Sequence, residues 1–113
     1  MTTIFKPWTV VEVPFPFIDK AIAKKRKALV VCTQSYQKKT GACILAMITS
    51  AENSSWPNDV KIEKYSVAGL KKPCVVRLKV FTIESSLVIG EVGHLYAGDI
   101  KHVKEALVGA IPT

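Results

Sequence analysis

Five basic residues run straight into an unbroken apolar row in the segment KAIAKKRKALVV, Lys20 to Val31. Such a stretch suits a solvated edge, a contact with a polyanion, or a place where a guanidinium acts on a phosphate. Arg26 stands where the basic part meets the apolar part, so a rigid strand can hold its side chain still. Its guanidinium is always charged, and the planar fork can donate two hydrogen bonds to phosphate oxygens. The placement of charge favours the second and third readings. Seven of the sixteen Lys and Arg residues, Lys20, Lys24, Lys25, Arg26, Lys27, Lys38 and Lys39, fall between positions 20 and 39, and no acid falls there. The other nine bases balance the nine acids, so the whole net charge of +7 belongs to one short segment. A localised excess is the footprint of a polyanion contact rather than of a uniformly solubilised surface.

The other reactive side chains say less. Cys32, Cys43 and Cys74 form no Cys-x-x-Cys pair, and two of them sit inside apolar runs, the pattern of reduced, buried thiols. His94 and His102 belong to no metal-ligand spacing, so neither a metal nor a cofactor is expected. The N-terminal MTTIFKPW has no apolar core of a signal peptide, and no apolar run approaches the ~20 residues that span a bilayer. A soluble, cytoplasmic protein without membrane contact is the expectation.

The elements that must position these residues are mostly strands. At 113 residues, nearly half of them apolar, the chain reads as one domain, 1–113, able to bury a core. WTVVEVPF is a β-branched strand that stops at Pro14, and PFPFIDK after it is too proline-rich to be helical. ALVVCT, Ala28 to Thr33, and ACILAMITS are continuous apolar runs that suit an antiparallel pair buried on both faces, with SYQKKTG turning the chain between them. AENSSWPND is a loop that carries Trp56. VKI, CVVRLKVFTI and SSLVIGEVG supply further short strands. Only the end reads as helix, with Ile100, Val103, Leu107, Val108 and Ile111 on one stripe and Asp99 favourably placed at the positive end of the dipole.

The order of blocks, VVEVPFPF, a basic loop, KRKALVV, YQKKTGACILAMITS, AGLKKPCVVRLKVFTIE and a terminal helix after GHLYAGDI, resembles that of the MazF/PemK toxins over residues 8 to 111. The resemblance implies a mainly β fold, a small SH3-like barrel of five to seven strands with a C-terminal α-helix, assembled as a homodimer. It implies the toxin of a type II toxin-antitoxin pair, an endoribonuclease that cuts single-stranded RNA without a metal and is silenced by a cognate antitoxin lying in the RNA groove. Matched block by block, Arg26 and Thr49 take the catalytic positions, Ser50 follows, and Arg77 takes a position tied to substrate binding or catalysis. Two departures stand out. Lys27 replaces the proline that usually follows the arginine, and Pro7 to Thr9 replace the usual Gly-Asp at the first strand.

Metal-free RNA cleavage needs the 2′-hydroxyl deprotonated, a phosphorane stabilised and the departing 5′-oxygen protonated, giving 2′,3′-cyclic phosphate and 5′-hydroxyl ends. Arg26 suits the second task and, with a pKa above ~12, suits proton donation poorly. Thr49 would orient the phosphate through its hydroxyl, or be simply a β-branched strand residue. Glu12 and Asp19 are the carboxylates near enough in sequence to act as base, and neither is singled out. RNA contacts are expected from Phe17, Asp19, Lys24, Lys25, Ser50, Trp56 and Arg77. Phe17 and Trp56 serve for base stacking if they are not buried, and Arg77 does so if it is not a structural ion-pair member. A nucleic-acid-binding module without catalysis and a gyrase-targeting toxin of the same fold are the alternatives.

Overall fold

The computed structural model describes residues 3–15, 24–53 and 56–112. Six strands, β1 (Thr9–Phe15), β2 (Lys24–Val30), β3 (Ala42–Ser50), β4 (Val60–Lys61), β5 (Cys74–Glu84) and β6 (Gly90–His94), form one curled antiparallel sheet in the order β4-β5-β3-β2-β1-β6. Helix α1 (Gln34–Thr40) joins β2 to β3, and α2 (Ala97–Ala110) ends the fold. Among the described residues no helix is long and apolar enough to cross a membrane.

The alternation of strand side chains packs both faces of the sheet. Val10, Leu29, Ala46, Ile48 and Val76 turn to one face, where Val103 of α2 joins them. Val11, Val13, Ala28, Val30, Cys43 and Leu45 turn to the other, where Phe5 joins them. A sheet covered on both faces explains why β2 and β3 read as continuous apolar runs rather than alternating ones.

Three local expectations are corrected. SYQKKTG is a helix, not a turn. Its N-cap Thr33 accepts the Tyr36 N–H at 3.1 Å, and Gly41 ends it at φ 71°. No apolar stripe announces α1 because the side chain it buries is Gln37, which accepts the Phe5 N–H at 2.8 Å and donates to the Phe5 carbonyl at 2.7 Å. Second, β2 starts at Lys24 rather than Ala28, so Lys24, Lys25 and Arg26 belong to a strand and not to a loop. Pairing with β1 enforces this, with Lys24 opposite Phe15 and Arg26 opposite Val13. Third, SSLVIGEVG divides into a single 3-10 turn at Ser85–Leu87 and then β6.

The terminal helix begins where expected, and its stripe is shorter than read. Val103 is buried and Ile100 and Leu107 pack against the core, but Val108 and Ile111 are exposed. Five residues beyond Val103, Val108 is rotated about 140° around the helix, and Ile111 lies past its end. Asp99 does more than face a dipole. It is buried, and its carboxylate accepts the N–H groups of Glu63 at 2.9 Å and Lys64 at 3.0 Å, fastening the segment after β4 to α2. The same segment passes so close to β6 that a Cβ at Gly93 would collide with the Ala68 carbonyl.

Candidate functional site

A fork in the sheet makes the site. β2 and β3 pair through Val30↔Leu45, Leu29↔Ala46 and Ala28↔Met47, and there the ladder stops. Beyond it β2 stays paired with β1 down to Lys24, while β3 stays paired with β5 up to Ser50 opposite Cys74. The two strand ends diverge around a cleft of about 350 Å³. Continuing the register places Arg26 level with Thr49, across the opening.

Directly opposed residues in a sheet share a face. Arg26 shares the face of Val13, its partner on β1. Thr49 lies two residues from Met47, itself opposite Arg77, so Thr49 and Arg77 share one face of β3 and β5. That face is the one carrying Ala28 and Leu45. Arg26, Thr49 and Arg77, picked out by sequence, therefore occupy neighbouring strands on a single side. Ser50 and Cys74 line the cleft from the other side.

The electrostatics are one-sided. Lys25, Arg26, Lys27 and Lys72 line the cleft together with Met47, Ile48, Thr49, Ser50 and Cys74, and among the described residues no carboxylate does. Arg26 is exposed and Thr49 half-buried, as a substrate contact requires. Lys72, brought in by the AGLKKP turn, was not singled out from sequence, and only its charge could have drawn notice. Burial raises the Cys74 thiol above its ordinary pKa, and the positive charges of Lys72 and Lys27 oppose that rise. Both lysines thus act electrostatically on the cleft wall.

Lys27, standing where the resembled family has proline, has a definite task. Its Nζ lies 3.2 Å from Glu12 Oε2, its directly opposed neighbour on β1. The pair fixes the strand beside Arg26 and occupies Glu12, one of the two carboxylates considered as base. The other, Asp19, lies outside the described residues, as do Phe17 and Lys20.

Arg77 forms the ion pair that was one of its two readings. Its Nε donates to Asp59 Oδ1 at 3.2 Å and its Nη2 to Oδ2 at 2.9 Å. The hydrogen bond it donates to Asp59 holds the guanidinium above even its usual pKa, against some desolvation. Trp56 is 43% exposed, which removes burial as its role. The Arg77 guanidinium lies 5.7 Å from its ring centroid and Lys79 Nζ 5.2 Å, so two cations stand over one partly exposed ring. Asp59 and Lys79 complete this group and escaped the sequence reading, because their part depends on the return of β5. The histidines stay outside the cleft, and among the described residues no cluster of His, Cys, Asp and Glu could hold a metal.

A curled antiparallel sheet with a C-terminal helix and a fork lined by basic side chains defines a small half-barrel with a cationic cleft. The family model of the PemK-like, MazF-like toxin of type II toxin-antitoxin systems matches residues 6–110, and the chain belongs to this family. Among solved structures it is similar to MazF from Deinococcus radiodurans, at 15% identity and a TM-score of 0.76 over 98% of this chain and 99% of that one. It is also similar to the toxin MazF-mt6 of Mycobacterium tuberculosis, at 20% identity and 0.72 over 90% and 94%. A mycobacterial endoribonuclease solved with its cognate antitoxin aligns at 12% identity and 0.73 over 96% and 93%. No curated protein matches the sequence.

Proposed function

We propose that this chain is the toxin of a type II toxin-antitoxin pair, an endoribonuclease that cuts single-stranded RNA without a metal. The observation that carries the reading is the fork, where Arg26 and Thr49 stand level across a cleft that, among the described residues, is lined by four cations and no carboxylate. RNA enters as a polyanion. Arg26 binds the nonbridging oxygens of the scissile phosphate and stabilises the extra negative charge of the phosphorane, while the Thr49 hydroxyl fixes the phosphate's orientation. The 2′-oxygen attacks phosphorus and loses its proton, the bond to the 5′-oxygen breaks, and that oxygen gains a proton. A 2′,3′-cyclic phosphate and a 5′-hydroxyl remain. Trp56, flanked by Arg77 and Lys79, offers a stacking platform for an unpaired base.

The same cationic fork suits an acidic antitoxin segment, which would silence the enzyme by filling it. The mycobacterial relative solved with its cognate antitoxin supports this partner. The assembly is a homodimer, and the exposed Leu87, Ile89, Val108 and Ile111 offer apolar surface for the second copy.

Incubation of the purified protein with single-stranded RNA in EDTA tests the reading. Expected are cuts that persist with the chelator and vanish when the scissile residue carries 2′-deoxyribose. Binding without cuts would select the non-catalytic module, and intact RNA with gyrase trapped on DNA would select the gyrase-directed toxin.

Lys24 and Lys25 contribute through charge alone. The Lys24→Ala, Lys25→Ala double variant should bind RNA more weakly and with a shallower salt dependence. Each phosphate contact to a single strand contributes about 0.7 to the log-log slope, so the slope falls by about 1.4 if both contacts exist. An unchanged slope in fluorescence anisotropy would remove these lysines from the interface.

A further inference from the structure

Two of the three cysteines meet. Cys32, just beyond β2, and Cys43, near the start of β3, continue the strand register two positions past Val30↔Leu45. Val31 donates its N–H to the Ile44 carbonyl at 3.0 Å, which carries the alignment one position past the last ladder pair. Opposed residues on neighbouring antiparallel strands bring their side chains together. Disulfides take Cα separations of ~4.4–6.8 Å. The two sulfurs are 3.7 Å apart, and both are free thiols.

Their surroundings make the two sulfurs unequal. Cys43 is fully buried, and burial first, then the charge and hydrogen bond of Cys32, push its thiol up to about 12. Cys43 stays protonated and can donate to the Cys32 sulfur. The Ile44 N–H points at that same sulfur at 3.3 Å. Two donors therefore converge on one sulfur. Cys32 is also the more accessible of the pair, at 7% exposure.

We propose that Cys32 and Cys43 form an oxidisable dithiol, a modification site for small hydroperoxides in which Cys32 reacts and Cys43 resolves. The Cys32 thiol gives its proton to solvent, its sulfur attacks one peroxide oxygen, the O–O bond breaks, and the leaving oxygen takes a proton from solvent. Cys32 becomes a sulfenic acid. The Cys43 sulfur then attacks the Cys32 sulfur, the S–O bond breaks, and hydroxide leaves with the Cys43 proton as water. Two thiols have lost two electrons, and the hydroperoxide has been reduced to alcohol and water, or to two waters from hydrogen peroxide. The crosslink closes the loop containing α1, whose Gln37 grips Phe5, and constrains the unfolded chain.

The site is tested in the full chain carrying Cys74→Ser, so that only the pair remains. The protein is treated with hydrogen peroxide, then catalase, and alkylated with iodoacetamide after unfolding. Expected are a mass about 2 Da below the reduced, unalkylated chain, no alkylation at either thiol, full reversal by dithiothreitol, and a higher urea midpoint for the oxidised form. Adding Cys43→Ser should leave Cys32 gaining oxygen without a crosslink, and adding Cys32→Ser should leave Cys43 unoxidised. Proteolytic mapping of the wild-type chain should show the same 32–43 linkage with Cys74 still alkylated, so the result does not depend on how the variants fold. Thiols that both remain alkylatable after peroxide, or disulfides that form only between chains, overturn the proposal.

Discussion

Arg26→Ala should lower RNA cleavage by about 10²–10³ while leaving affinity for an uncleavable 2′-deoxy substrate within a few-fold, because removal of one preorganised donor to a developing oxyanion typically costs that much. The separation of the two effects follows from the cleft. Lys25, Lys27 and Lys72 remain to attract the backbone, so ground-state binding survives, whereas among the described residues no other guanidinium lines the fork. Arg26→Lys should recover only part of the loss, since it restores charge without the planar two-donor fork. Arg26 is exposed, and the variant should unfold at the wild-type urea concentration, which separates lost chemistry from lost fold. Cleavage by Arg26→Ala at the wild-type rate would falsify the mechanism.

Asp99→Ala should have the opposite profile, a large loss of stability with no specific effect on chemistry. The buried carboxylate satisfies the N–H groups of Glu63 and Lys64 together. Deleting it strands two amides at about 1–3 kcal/mol each, an expected total of about 2–6 kcal/mol. Domains of this size have about 5–15 kcal/mol in all, so the urea midpoint should fall by about an eighth at the least. Asp99→Asn keeps one acceptor oxygen and should lie between the two. If Asp99→Ala unfolds at the wild-type midpoint, the tether contributes nothing.

The strand-rich order and the C-terminal helix were legible because β-branched runs and a 3.6-residue stripe are local signals. What escaped was decided by distant partners. Gln37 is a polar residue in a polar stretch, and only the Phe5 backbone 32 residues away explains its burial. Asp99 read correctly as an N-terminal acid, but its partners lie 35 and 36 residues back along the chain. At the site, Arg26 and Thr49 were named from block order, while their relation across one cleft depends on where the β2–β3 ladder ends, which no residue type announces. Arg77 reads two ways in the sequence because its ion-pair partner, Asp59, lies 18 residues away. Lys27 broke the family pattern without breaking the strand, because Glu12 stands opposite to receive it.

The fork has one more implication. Along β3 the main-chain groups alternate in direction. Ala51 N–H reaches back to Pro73 on the β5 side, and Ile44 C=O faces β2. By that alternation Ile48 and Ser50 turn their peptide groups into the opening, and Lys25 and Lys27 answer from the other bank. Part of what the cleft presents is therefore polypeptide and not side chain. An alanine scan leaves that portion intact at every position, and the scan will undercount what the fork can hold. Replacing single peptide bonds at 48 or 50 by esters would reveal it.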